Sequence, residues 1–155
     1  MSINIKNKHD NIVLIVGGNH INTLGTIRSL GELGVTVYVL VSGYKYNFIQ
    51  YSRYVKKIWI VNSIGDSFMA ICKNIISMEK AKPIIIPCSD DAVYNIDKNI
   101  DKLINRFIFP NIGNKQGMIA HYMNKNNMVE CARKSGLTTP RTQTIDLTNI
   151  DDSIN

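Results

Sequence analysis

The stretch Asn11-Ile12-Val13-Leu14-Ile15-Val16-Gly17-Gly18-Asn19-His20 decides the fold. An unbroken apolar run ending in two glycines marks a strand buried on both faces, with a tight turn behind it. From Asn22 onward Leu24, Ile27, Leu30 and Leu33 recur at helical spacing, and Gly34 follows the last of them as a helix terminator should. Val35 to Val41 is a second β-branched run. Because the crossover between the two runs has helical length, the strands are expected to lie parallel and adjacent.

Working outward, the same alternation returns. Residues 58–61 read as a third strand, 67–79 as a helix, and 83–86 as a fourth strand closed by Pro87. Ala92, Val93, Ile96, Ile100, Leu103 and Ile104 form a helical stripe capped by Ser89 or Asp90, and residues 107–109, just before Pro110, read as a fifth short strand. The expected fold class is α/β: a doubly wound, mainly parallel five-stranded sheet with helices on both faces. Past Pro110 the pattern changes to a short helix over 115–121 and a second over 124–135, which ends at Gly136 with Pro140 beyond. Residues 141–147 suit a strand, and 148–155 are polar with no core left to join. The expected division is therefore 1–112 for the α/β domain and 113–155 for linker helices and the start of a further, truncated domain.

Composition narrows the class. At 155 residues with 45% hydrophobic content the chain can bury one core and not two. No apolar run approaches the ~18 residues of a membrane span, and residues 1–10 alternate polar with apolar, unlike a secretory signal. A soluble, cytoplasmic protein is expected. Cys72, Cys88 and Cys131 are widely spaced and odd in number, so they read as buried, reduced thiols rather than a zinc site or a disulfide framework. The net charge of +6 invites nucleic acid. Ile, Asn and Lys, all encoded by A/T-rich codons, supply 56 residues, however, and no aromatic and basic interleaving occurs. Nucleic acid is therefore not expected as a partner. The excess charge is uneven: residues 1–62 hold seven Lys/Arg against Asp10 and Glu32, whereas 63–155 hold eleven against ten. An anionic ligand suits the first part best.

In an open parallel sheet ligands bind beyond the carboxyl ends of the strands. Two loops there are chemically distinctive. Gly17, Gly18, Asn19 and His20 let backbone approach a ligand and aim the next helix's amides at it, which suits an anion; the plain alternative is a tight turn. The spacing is not a dinucleotide fingerprint, since Asn19 and Asn22, or His20 and Thr23, stand where glycines are needed. Nor does any phosphate-cradling Gly-x4-Gly-Lys run occur. The second loop, Pro87 to Asp91, places two carboxylates at a helix start, where one would serve as a cap and both could orient an amine. Lys125, opening a helix against its dipole, is either solvated or set against a polyphosphate. Arg53, in a tract with Tyr44, Tyr46, Phe48, Tyr51 and Tyr54, could hold a carboxylate bidentately or be an exposed structural residue.

Taken in order, the glycine turn, Ser52-Arg53-Tyr54 before the third strand, the loop from Pro87 to Asp91, and Lys125 followed by a helix with Gly136, Leu137 and Pro140 resemble the front of an ATP-grasp ligase. The nearest likeness is to carbamoyl-phosphate-synthase-like and D-aspartate-ligase-like members. The resemblance covers nearly the whole chain but only the amino-terminal part of such an enzyme, and it implies a Rossmann-like pre-ATP-grasp domain. In that family the lysine opening the linker helix contacts ATP, which implicates Lys125, although Asn124 replaces the usual Asp before it. Gly17, Gly18, Asn19, Ser89, Asp90 and Asp91 would face the substrate, with Arg53 as a further candidate. The implied reaction joins a carboxylate to an amine through an acyl phosphate, with ATP and magnesium as cofactors of the full-length enzyme and neither held tightly by this chain. Metal-binding carboxylates and the lid are expected later in the polypeptide, so this chain alone is expected to be inactive. The implied partners are a small-molecule substrate, an amino acid by its charge pattern, and the missing carboxy-terminal domain; a homodimer is left open. The rival readings are a freestanding binding module for an anionic metabolite and an interaction domain with no ligand.

Overall fold

The computed structural model describes residues 11–43, 46–78 and 81–141. Residues 1–10, Tyr44, and the segment from 142 onward, including most of the strand expected over 141–147 and the polar tail, lie outside the described residues. Four strands, β1 (Val13–Gly18), β2 (Val37–Ser42), β3 (Val55–Val61) and β4 (Ile84–Pro87), form one parallel sheet in the order β3-β2-β1-β4. Helix α1 (Ile21–Glu32) joins β1 to β2, a 3-10 turn at Phe48–Tyr51 precedes β3, and α2 (Ile64–Met78) joins β3 to β4 on the far side of β1.

The unbroken apolar run of β1 follows from its central place. Val13 and Ile15 pack toward α1 with Ile27, Val37, Val39 and Ile49, while Leu14 and Val16 pack on the opposite face with Phe68, Ile75 and Ile96. Helices therefore cover both faces, as a doubly wound sheet requires. At the end of α1, Gly34 takes φ +77°, its N–H donates to the Gly31 carbonyl, and the Val35 N–H donates to that of Leu30. This pair of bonds is a Schellman motif. It engages the Val35 N–H, so β2 starts at Val37 rather than at the start of the β-branched run.

The fifth strand requires correction. Residues 107–109 make a single parallel bridge, Ile84 to Ile108, in which Ile85 donates to Ile108 and Ile108 to Pro83. Pro110 has no N–H to extend the ladder, so among the described residues the sheet has four strands. The single helical stripe is also two helices, α3 (Asp90–Lys98) and α4 (Ile100–Leu103), parted at Asn99, whose side chain donates to the Asn95 carbonyl.

The described residues group into two compact units divided after Ile119. The first holds the sheet and α1 to α4. Helix α5 (Met118–Met123) crosses the division and α6 (Lys125–Lys134) lies in the second; neither has a buried residue. Asn124 caps α6 by accepting from the N–H groups of Asn126 and Asn127, and Gly136, at φ +76°, closes it.

Of the three thiols expected to be buried, only Cys72 is; Cys88 is half-buried and Cys131 is exposed on α6. Burial pushes the Cys72 thiol up to about 12 from its ordinary 9.0. The folded chain thus keeps a proton that the unfolded chain releases. Its contribution to stability is complete below about pH 9 and is lost as pH rises toward 12. Urea midpoints measured from pH 9 to 11 are expected to fall more steeply for the native chain than for Cys72→Ala. A disulfide reagent is expected to label Cys131 first and Cys72 only on unfolding; equal rates would contradict the packing.

Candidate ligand-binding site

The order of strands puts β1 beside β4, so the loops leaving their carboxyl ends start side by side while their helices run to opposite faces. This is the topological switch point at which open α/β sheets bind ligands. The Cys88 N–H donates to the Val16 carbonyl at 2.7 Å. A Cβ on Gly17 would stand 2.9 Å from the Cys88 Cβ and 2.9 Å from the Thr23 Oγ1, so only glycine lets the two loops approach this closely. Thr23 is buried, and its hydroxyl donates to the Gly18 carbonyl at 2.8 Å, fixing the turn. Behind the turn, α1 begins at an extended His20 with no side-chain cap and no acidic residue in the first turn. Its leading N–H groups and the positive end of its dipole are left for an outside acceptor.

Asn19 and Asn47 flank Gly43 on the β2 side of the turn. A Cβ on Gly43 would lie 3.2 Å from the Asn19 Cβ and 3.5 Å from the Asn47 Nδ2. Asn19 donates through Nδ2 to the Tyr46 carbonyl, and Asn47 accepts through Oδ1 from the Ile49 N–H, which fixes both amide orientations. The remaining atoms, Asn19 Oδ1 and Asn47 Nδ2, are buried without a partner among the described residues. One is an acceptor and the other a donor, and a buried polar atom left unpaired is costly. Asn47 had no signal in the sequence beyond its place in an aromatic tract.

On the other side, Ser89 caps α3 by accepting from the Ala92 N–H at 3.2 Å, an arrangement that contributes about 1 kcal/mol. The two carboxylates behind it have separate roles. Asp91 accepts from the Asn95 side chain at 2.9 Å, and Asn95 also donates to the Asp91 carbonyl. Asp90 is exposed, and its carboxylate has no hydrogen bond or ion pair among the described residues. The carboxylate available to a ligand is therefore that of Asp90.

The structure brings Gly17, Gly18 and Asn19 together with Ser89, Asp90 and Asp91, but it does not bring Arg53 to them. Arg53 stands two residues before β3, at the amino edge of the sheet. There it donates to the Tyr54 hydroxyl at 2.6 Å, a bond that raises its pKa, with a smaller contribution from Glu32. Lys125 opens α6 in the second unit, exposed and with no ion pair among the described residues. Among those residues no group of three His, Cys, Asp or Glu could hold a metal ion, and no helix is long and apolar enough to cross a membrane.

By sequence, the chain matches no protein-family model and no curated protein. By structure it is similar to an L-amino acid ligase from Bacillus licheniformis, with a TM-score of 0.62 and 14% identity over 92% of this chain and 35% of the ligase. It is also similar to an N5-carboxyaminoimidazole ribonucleotide synthetase solved as an ADP complex, with a TM-score of 0.61 and 15% identity over 94% of this chain and 34% of the synthetase. The chain thus spans about a third of each solved structure. At this level of identity the likeness is one of fold: an α/β, Rossmann-like parallel sheet shared with about a third of a ligase and of a synthetase.

Proposed function

We propose that this chain is the amino-terminal, substrate-binding part of an ATP-grasp ligase that joins a carboxylate to an amine. The observation that carries the reading is the convergence of the Gly17 turn and the Asp90 loop at the switch point of the sheet. One loop offers unsatisfied N–H groups and the other a carboxylate, which suits a ligand bearing both a carboxylate and an ammonium. An amino acid has this pattern. The likeness to an L-amino acid ligase and to a nucleotide-bound synthetase supports it.

In this reading the residues of the chain bind and orient. The uncapped start of α1 holds the substrate carboxylate, and Asp90 holds its ammonium away from the reacting oxygen. ATP supplies the phosphoryl group that activates a carboxylate. Lys125, a cation with no ion pair among the described residues and set where it opposes the helix dipole, fits a phosphate neighbour. Magnesium fits no cluster of residues described in this chain.

Calorimetric titration of the twenty proteinogenic L-amino acids is expected to give saturable binding of at least one of them. Asp90→Asn is expected to weaken it about tenfold, the scale of one charge-assisted hydrogen bond, without lowering the thermal midpoint. Unchanged affinity would make Asp90 a surface carboxylate and remove the reading's main support. In the enzyme that contains the remaining two-thirds, Lys125→Ala is expected to raise the Michaelis constant for ATP about tenfold, and Lys125→Arg to recover part of the loss. Wild-type constants in both variants would return Lys125 to solvent.

A further inference from the structure

Ser52, Arg53 and Tyr54, distinctive in the sequence, take no part in the carboxyl-edge crevice. With Arg28, Glu32 and Tyr51 they line a cleft of about 420 Å³. Arg28 and Glu32 lie on the later turns of α1, which runs back from the carboxyl end of β1 toward the amino end of β2, and Tyr51 to Tyr54 lead directly into β3. The cleft is thus at the amino edge of the sheet. We propose that it is a second binding site, for a small anion carrying carboxylate or phosphate groups.

Charge is the first support. Two arginines and a single acid, Glu32, line the cleft, and neither arginine is in an ion pair among the described residues. Glu32 follows Arg28 by one helical turn, the less favourable order for such a pair, and the two do not join. Two like charges sharing a cleft repel each other until an anion lies between them.

Preorganisation is the second. The Tyr54 ring lies against Gly31 of α1 so closely that no Cβ fits there, which makes it a fixed wall of the cleft. The Arg53 guanidinium sits 4.7 Å from the centre of that ring and donates one hydrogen bond to its hydroxyl. A long side chain that ordinarily loses rotamer freedom on binding is already held, with most of its five N–H donors unused. A planar fork of this kind matches two oxygens of a carboxylate or phosphate group. Tyr51 and Ser52, each with a hydroxyl, also line the cleft.

The site is independent of the ligase reading, since it shares no residue with the crevice. Inorganic phosphate and succinate, titrated separately into the chain at low and matched ionic strength, distinguish the two sources of the anionic group. Saturable binding of either one is expected, and which one binds names the source. Arg28→Gln and Arg53→Gln are each expected to weaken it about tenfold, and the double variant to abolish it. Lys73→Gln, an equal loss of charge on α2, is expected to leave it unchanged. Both arginines are exposed, so an unaltered thermal midpoint is expected and would separate lost binding from lost folding. The proposal is overturned if neither anion binds saturably, if the double variant binds like the native chain, or if Lys73→Gln weakens binding as much as the arginine variants do.

Discussion

Gly31→Ala is expected to destabilise the chain, whereas Gly25→Ala on the same helix is expected to stabilise it. Within a helix, alanine ordinarily improves on glycine by about 0.5–1 kcal/mol, because the unfolded chain loses freedom it would otherwise regain. At Gly25 a Cβ would meet nothing within 4 Å, so the full gain should appear. At Gly31 the same atom would overlap the Cβ and ring of Tyr54, which cannot swing aside without losing its contacts with the buried face beneath α1. Overpacking of this kind costs about 1–3 kcal/mol. Urea unfolding of the two variants should therefore shift in opposite directions. In a Tyr54→Gly background, which removes the Cβ as well as the ring, the Gly31→Ala change should turn favourable, whereas Tyr54→Ala, which keeps the Cβ, should leave part of the clash in place. A stabilising Gly31→Ala in the native background would mean that Tyr54 does not rest on α1, and the rigid wall of the amino-edge cleft would go with it.

Where local chemistry is strong, the sequence was a sufficient guide. The apolar run from Ile12 to Val16 signals a strand buried on both faces because both of its faces are covered, and Gly34 and Gly136 stop helices because each adopts a positive φ. Errors arise where a segment's state depends on a distant partner. Residues 107–109 have strand-like side chains, yet only one residue finds a ladder partner before Pro110 ends it. Cys131 lies on α6, a helix with no buried residue, and so it is exposed.

The site was legible in part for the same reason. Once β1 and β4 are neighbours, the glycine turn and the acidic loop must meet, and that adjacency depends on strand order, which no local pattern states. The division of labour between Asp90 and Asp91 was available in principle, since Asn95 stands one helical turn after Asp91. Arg53 lies away from the crevice because residues leading into a parallel strand stand at the amino edge of the sheet, opposite the carboxyl ends where the crevice forms. Asn47 is different. Its burial depends on the path of the loop after β2, and its unpaired Nδ2 emerges only once Oδ1 is seen to accept from Ile49.

The tight position in the turn is Gly17, not Gly18, and the two are expected to respond differently to substitution. A Cβ on Gly18 would meet only the His20 ring, at 3.0 Å, and His20 is a partly exposed side chain free to rotate. Gly18→Ala should fold normally and act, if at all, on binding. A Cβ on Gly17 would press on the Cys88 Cβ and the Thr23 Oγ1, both at 2.9 Å. Neither atom yields easily. Cys88 is tied to β1 by its N–H bond to Val16, and Thr23 is tied to the turn by its bond to Gly18. Gly17→Ala should therefore push the end of β4 away from β1 and cost about 1–3 kcal/mol. Because that gap is also the floor of the crevice, amino-acid binding should fall in the residual folded population. Replacing Cys88 with glycine in the same chain removes one of the two obstructing atoms and should restore part of both losses, whereas Cys88→Ala, which keeps the Cβ, should restore neither. Equal stability of Gly17→Ala and the native chain would mean that the two loops stand further apart, and the crevice between them would lose its geometric basis.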